Sequence, residues 1–334
     1  MKHKILKIII TIASFIFLFL MIAIISNNTM KKEQGNTIFG LSFSPYYAKY
    51  LNLDAKEAFR EILQEMDFKY IRLTAQWDKI EAKRGVYNFT DLDWMMKMAV
   101  ENKAKIILTV GRKTPRWPEC HIPEWAKKMQ FQEYKGDLHK FIEQVVNRYK
   151  DNPALEIWQV ENEPYLAFGE CSVMASQDLR DEIDLVRSLD NMHKVMVTDS
   201  GELSWWRKTA QAGDLFGTTM YRVVWNRFFG YFSYDWMPAK LYNLKLMLNK
   251  RELDEAYIVE LQAEPWIPAQ SVHATPLGEQ YKSFSMKRLE KNIDYATRTG
   301  MPRAYLWGAE WWIWVEKQYG VGQYIEYIKT LRKD

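Results

Sequence analysis

The chain has 334 residues, 48% of them apolar, and a formal net charge of +4. That length is one large domain or two small ones with ample core, and so small a charge gives no basis for nucleic-acid binding. Its 14 Trp and 19 Tyr exceed what core packing ordinarily uses; flat rings are platforms for sugar rings, although an aromatic-rich core would have the same composition.

Lys2, Lys4 and Lys7 precede an apolar run from Ile8 to Ile25 that only Thr11 and Ser14 interrupt. Such a run is just long enough to cross a bilayer. A cleaved signal needs small residues at its end, and Met21-Ile22-Ala23-Ile24-Ile25 is mostly bulky. The pattern predicts an uncleaved transmembrane or signal-anchor helix, with membrane contact through residues 5–26. The lysines put the N-terminus in the cytoplasm and the body outside. A cleaved segment would instead give a secreted protein. Residues 27–37 read as a polar linker, and residues 38–334 as one domain.

From Ile38 the chain alternates short apolar runs with longer amphipathic ones. The predicted strands are Ile38–Ser44, Tyr70–Leu73, Lys105–Val110, Leu155–Val160, Lys194–Thr198, Leu215–Thr219, Tyr257–Glu260 and Ala304–Trp307. A helix is expected over residues 94–100, with Thr90 as its cap and Asp93 completing a capping box. Others are expected at Tyr134–Arg148, Gln177–Leu189, Pro238–Leu248, Glu279–Thr297 and Gly322–Leu331. Eight strands, each followed by a helix, predict an α/β (β/α)8 TIM barrel. A doubly wound sheet is the alternative, but no Gly-rich first loop supports it.

In such a barrel the chemistry sits at the C-terminal strand ends. The fourth strand ends abruptly in Asn162-Glu163-Pro164, because Pro164 donates no ladder hydrogen bond. Desolvating a carboxylate there costs free energy that folding alone does not repay. Other strand ends offer Arg72, the run Gly111-Arg112-Lys113-Thr114-Pro115-Arg116-Trp117-Pro118, the pair Asp199 and Glu202, then Tyr221, Arg222, Glu260, Glu264 and Glu310. Glu163 paired with Glu260 suits glycoside hydrolysis, which needs one protonated and one ionised carboxyl. Arg72 and the Tyr221 hydroxyl would keep Glu260 ionised; burial and the charge of Glu260 would keep Glu163 protonated. Asn162 can donate to a sugar hydroxyl beside the cleaved bond. Glu161, two residues before Glu163, is expected on the same strand face. Glu264 is the rival for the role given to Glu260, and Glu310 a third candidate. Trp117, Trp205, Trp206, Trp225, Trp266, Trp307, Trp311 and Trp312 cluster in the same loops, so stacking on sugar competes with covering the core. His121 is a substrate contact or a surface residue. Cys120 and Cys171 follow neighbouring strands and can form a disulfide. No metal, nucleotide or haem motif is present, so no cofactor is expected.

The Asn162-Glu163-Pro164 motif and a strand-ending Glu about a hundred residues later resemble the retaining TIM-barrel glycoside hydrolases of clan A, cellulase-like family 5 and its relatives. The segment from Ile71-Arg72-Leu73 through Trp77-Asp78-Lys79-Ile80-Glu81 and Gly85-Val86-Tyr87-Asn88-Phe89 to Leu92-Asp93 is similar to that clan's second strand and the loop behind it. The resemblance implies acid/base Glu163, nucleophile Glu260, and Arg72, Asn162, Tyr221 and Trp307 beside the scissile bond; Trp117 and Trp266 are expected as further sugar contacts from their place in the strand-end loops. It implies a monomer acting on a polysaccharide or oligosaccharide. A non-catalytic glycan-binding protein and a transglycosylase remain as alternatives.

Overall fold

The computed structural model describes residues 37–268 and 271–332. The expected anchor over residues 1–26 and all of the linker but Thr37 lie outside them. Thr37 is buried, and its hydroxyl donates to the Met301 carbonyl, so it already belongs to the folded domain. Among the described residues no helix is long and apolar enough to cross a membrane.

Eight parallel strands close into a barrel: β1 (Ile38–Ser42), β2 (Tyr70–Thr74), β3 (Lys105–Val110), β4 (Leu155–Val160), β5 (Lys194–Asp199), β6 (Leu215–Met220), β9 (Ala256–Gln262) and β10 (Arg303–Trp307). Every apolar run predicted as a strand is one. Parallel strands covered on both sides need apolar residues on both faces, which is why these segments read as near-continuous apolar runs. Ile107, Ile157, Met196, Leu215, Val259 and Tyr305 fill the barrel interior, while the larger core lies between barrel and helices. The helix Phe131–Tyr149 shows the outer packing. Tyr134, Leu138, Phe141, Ile142, Val145 and Val146 recur at helical spacing and are buried, the stripe an amphipathic helix turns to a core.

Several expectations fail for local reasons. The helix Thr90–Glu101 is not capped by Thr90. Asn88 accepts from the Thr90 amide at 3.1 Å, and Asp93 is drawn away to Arg148 and to the Tyr149 hydroxyl. The helix expected over Glu279–Thr297 breaks in two, because Ser285 caps a new start at Met286. No helix follows β5, where residues 200–214 run in turns. A helix over Ala309–Tyr319, in a segment expected to be a strand-end loop, follows β10 directly. After β6 a small antiparallel hairpin, β7 (Val223–Asn226) with β8 (Gly230–Ser233), stands above the barrel.

One irregularity aims a side chain at the site. Along β9 the pairing with β6 runs Thr218 to Ile258, then Thr219 to Glu260, so β9 carries one extra residue. The ladder with β10 slips over the same stretch. A bulge of this kind breaks the two-residue alternation and re-aims the next side chains along the strand. Val259 lines the barrel interior, and Glu260 next to it also turns inward, to Arg72.

Candidate active site

Glu260 sits in β9, two residues before that strand's end, and is 2% exposed. Arg72 of β2 reaches across the barrel and donates through Nη1 to Glu260 Oε1 at 2.9 Å. The other oxygen, Oε2, accepts from the Tyr221 hydroxyl at 2.8 Å. The Arg72 guanidinium also donates to Gln159 Oε1 and Asn162 Oδ1, each at 2.8 Å. A buried ion pair persists only when its remaining donors and acceptors are satisfied, and here they are. Tyr221 is fixed from behind: its amide donates to Glu202, which also takes the Tyr242 hydroxyl.

Glu163 follows β4 and is 4% exposed. Its backbone has φ 46°, the left-handed region that non-glycine residues rarely occupy. Such strain clusters where the surrounding structure dictates geometry. The Glu163 amide donates to Thr198 Oγ1 at 2.9 Å, and Lys113 Nζ donates to the Glu163 carbonyl at 2.9 Å. The carboxyl itself has one modest donor, the Thr219 hydroxyl at 3.1 Å from Oε1. Burial, then the charges of Glu119 and Glu260, push the Glu163 carboxyl well above the ordinary carboxylate range. The direction is the expected one, but the part played by Glu119 is not among the sequence expectations.

The other carboxyls separate by what they touch. Glu161 does not share the face of Glu163. With φ 59° it leaves the strand, and its carboxylate turns back to accept from the Arg112 and Lys113 amides, each at 2.8 Å. Gly111, at φ +123°, is required there, because a Cβ would overlap that carboxylate. Glu264 and Glu310 share the single guanidinium of Arg116, which lies between the rings of Tyr47 and Trp307. Glu310 also accepts from the Ser44 amide. Asp199 accepts from Ser200, Ser204 and Thr209 within its own loop. The Arg222 guanidinium donates to backbone carbonyls of the segment after the hairpin.

The aromatic residues divide as well. Trp206, Trp311 and Trp312 are fully buried, with their indole N–H groups on Ser200, Gln280 and Ala263, so they are core. Trp266 packs edge-on against Tyr221 beside the site. Trp117 is 68% exposed and meets Phe168, which in turn meets Trp266. Trp307 has Arg116 at 4.1 Å over its ring, so one face is already covered. Beside Trp307 lies a small cleft lined also by Ser42, Ser44, Arg72 and Arg116. His121 is neither exposed nor free. It is 5% exposed, its ring meets the Arg116 carbonyl and Gln76, and it braces the loop. Cys120 and Cys171 are joined, Cα to Cα 4.9 Å, tying the loop after β3 to the loop after β4. Among the described residues no cluster of His, Cys, Asp or Glu is arranged to hold a metal ion.

Arg72, Asn162, Glu163, Tyr221 and Glu260 thus meet at one mouth of the barrel, from β2, β4, β6 and β9. Residues 46–181 match the family model of the β-galactosidases of glycoside hydrolase family 42. The match contains Arg72, Asn162 and Glu163 and stops short of Glu260. The chain is a relative of the clan A glycoside hydrolases. It is 23% identical over 206 residues to the β-galactosidase BgaA of Clostridium cellulovorans, covering 55% of this chain and 31% of that protein. It spans under a third of the length of the curated β-galactosidases it matches. Among solved structures it resembles xylanase 10B from Thermotoga maritima, with TM-score 0.56 and 16% identity, covering 88% of this chain and 95% of that one. It also resembles the protein GH5_18 from Streptomyces cattleya, with TM-score 0.57 and 11% identity, covering 82% and 71%. At these identities the structural likeness speaks for the barrel.

Proposed function

We propose that the chain is a retaining β-glycosidase that cleaves O-glycosidic bonds by double displacement. Glu163 donates a proton to the leaving oxygen while Glu260 attacks the anomeric carbon, forming a glycosyl-enzyme. Glu163 then takes a proton from water, which releases the sugar. The observation that carries this reading is the contrast between the two carboxyls. Both oxygens of Glu260 are occupied by N–H and O–H donors, which suits an anion poised to attack. Glu163 is buried, sparsely solvated and pushed up, which suits an acid that still holds its proton near neutral pH.

The β-galactosidase relatives make an aryl β-galactoside the first substrate to try, within a panel of aryl β-glycosides and polysaccharides. Glu260→Ala should remove turnover, Glu163→Ala should lower it most where the leaving group needs a proton, and NMR of the first-formed sugar should show the β anomer. Near-normal rates in Glu260→Ala, near-normal rates in Glu163→Ala where the leaving group needs a proton, or an α product, would contradict the reading. Transglycosylation uses the same residues and differs only in the acceptor. We read the apolar segment of residues 5–26 as an anchor that holds the barrel outside the cytoplasm on a glycan of the cell surface. Fractionation of the full chain into membrane and soluble pools tests that placement.

A further inference from the structure

Behind the turn that carries Glu163 lies a second buried pair of acids, Glu161 and Glu182, which the double displacement does not use. Asn162 stands between two residues with left-handed backbones, Glu161 at φ 59° and Glu163 at φ 46°. A turn of this kind persists only where its surroundings over-determine it. Much of what holds it passes through Glu161. The Glu161 amide donates to the Val110 carbonyl at 2.8 Å, and Gln159 Nε2 donates to the Glu161 carbonyl at 2.8 Å. The Glu161 carboxylate takes the amides of Arg112 and Lys113. That fixes the segment from which Lys113 Nζ reaches the Glu163 and Leu166 carbonyls. The Lys113 carbonyl in turn accepts from the Asn162 amide at 2.7 Å.

The helix Ser176–Leu189 stands behind this joint. Its buried face is Leu179, Glu182, Ile183 and Val186, so one acid sits in an apolar stripe. Glu182 is fully buried, and its carboxyl is hydrogen-bonded to that of Glu161. Two carboxylates cannot share such a space without a cation or a proton. Arg112 is near but donates elsewhere, to the Tyr134 hydroxyl and to the hydroxyl and carbonyl of Ser172. Tyr134 and Asp178 also face Glu182, and Asp178 is paired with Lys135 at 2.7 Å. Among the described residues no N–H or hydroxyl group donates to either Glu182 oxygen. A proton on Glu182 resolves the conflict, making it the donor and Glu161 the acceptor. The proton belongs on Glu182, because Glu161 is the member of the pair with two amide donors. Burial, then the charge of Glu161, push the Glu182 carboxyl well above the ordinary carboxylate range.

We propose that Glu182 is a positioning residue: its carboxyl donates a hydrogen bond to Glu161 and so locks the left-handed turn that presents Glu163 to the leaving oxygen. It touches no substrate and acts only through Glu161.

What is positioned rests on the glycosidase reading, and the test keeps the two apart. Glu182→Met keeps the volume and removes the donor; Glu182→Gln keeps a donor and cannot ionise. Each is compared with wild type by kcat/KM on two aryl β-glycosides, one whose leaving group needs a proton and one whose leaving group does not, with melting curves to confirm folding. Glu182→Met should lower kcat/KM about 10- to 100-fold on the first and less than about threefold on the second, and Glu182→Gln should restore most of the loss. A merely structural residue would lower both alike. Equal losses on both substrates, or none on the first, overturn the proposal. So does a Glu182→Gln as impaired as Glu182→Met. The proton is tested without substrate, and so even if the Met variant does not fold. The melting temperature of Glu182→Gln should gain on that of wild type as pH rises from about 5 to 8, because folded wild type keeps a proton that the unfolded chain releases. A constant gap overturns the proposal. If no glycoside is cleaved, the glycosidase reading falls alone. Crystal structures of the two variants then decide: a turn at Glu161–Glu163 displaced in Glu182→Met and kept in Glu182→Gln supports the proposal, and a turn unmoved in both overturns it.

Discussion

The ends of β4 and β9 each bring a buried glutamate to one space, and hold it in opposite ways. Glu260 is gripped on both oxygens, by Arg72 and Tyr221. Glu163 is gripped by its backbone, through Thr198 and Lys113, while its carboxyl has little more than the Thr219 hydroxyl. The difference teaches how one fold gives the same side chain two surroundings, one rich in hydrogen-bond donors and one poor in them. Charged donors aimed at the carboxylate favour the ionised form; burial near other acids favours the protonated one. A third region, Glu264 and Glu310 around Arg116, shows buried acids bound to a cation of their own and turned away from the pair.

The comparison breaks most visibly if Glu260 is removed. Glu260→Ala should lower kcat on an aryl β-glycoside by about 10⁴-fold or more, and loss of similar size in Glu264→Ala with Glu260→Ala active would exchange their roles. Glu163→Ala should cost about 10²–10⁴-fold on a natural glycan. It should cost clearly less on an aryl glycoside whose leaving group needs no proton, so a rate series across leaving groups tests the acid role. Arg72→Met should destabilise the fold by about 3–5 kcal/mol, since it strands a buried carboxylate; denaturant unfolding measures it. Tyr221→Phe keeps the ring against Trp266 and removes one donor to Glu260. A loss of about 5- to 50-fold in kcat is expected, with little change in melting temperature.

The smallest effect is on stability against pH. Burial holds Glu119 at about 8, and Glu202 and Glu264 at about 7, against an ordinary value of 4.5. The folded chain therefore keeps protons that the unfolded chain releases. Stability from this source is fully present below the ordinary value and falls as pH rises towards 8. Melting curves across that range should decline, and Glu119→Gln should make the decline shallower. A Tm that rises over the range would contradict the burial of these groups.

Much of this is legible in the sequence, because parallel strands buried on both faces must be apolar throughout. Leu155–Val160 and Lys105–Val110 announce themselves by that rule. The meeting of Arg72, Asn162, Tyr221 and Glu260 is legible from their places at strand ends. The orientation of Glu161 is not, because a left-handed φ reverses a side chain without altering composition. The bulge that turns Glu260 inward depends on slippage against two neighbouring ladders, which no local pattern records. Trp311 and Trp312 have the sequence context of loop aromatics, but Gly308 starts a helix that carries them into the core. Glu119 is hidden for a similar reason. It lies just beyond Trp117-Pro118, in a segment without periodicity, and only its position beside Cys120 hints that the loop is pinned.

Everything turns on Glu260 as the residue that bears the sugar. Incubation with an activated 2-deoxy-2-fluoro-β-glycoside, followed by peptide mass spectrometry, tests it most directly. The fluorine slows release of the intermediate, so a covalent adduct should accumulate on the peptide containing Glu260. Its formation should depend on Arg72 and vanish in Glu260→Ala. An adduct on Glu264, Glu310 or Glu163, or continued turnover of the parent glycoside by Glu260→Ala, would contradict that assignment.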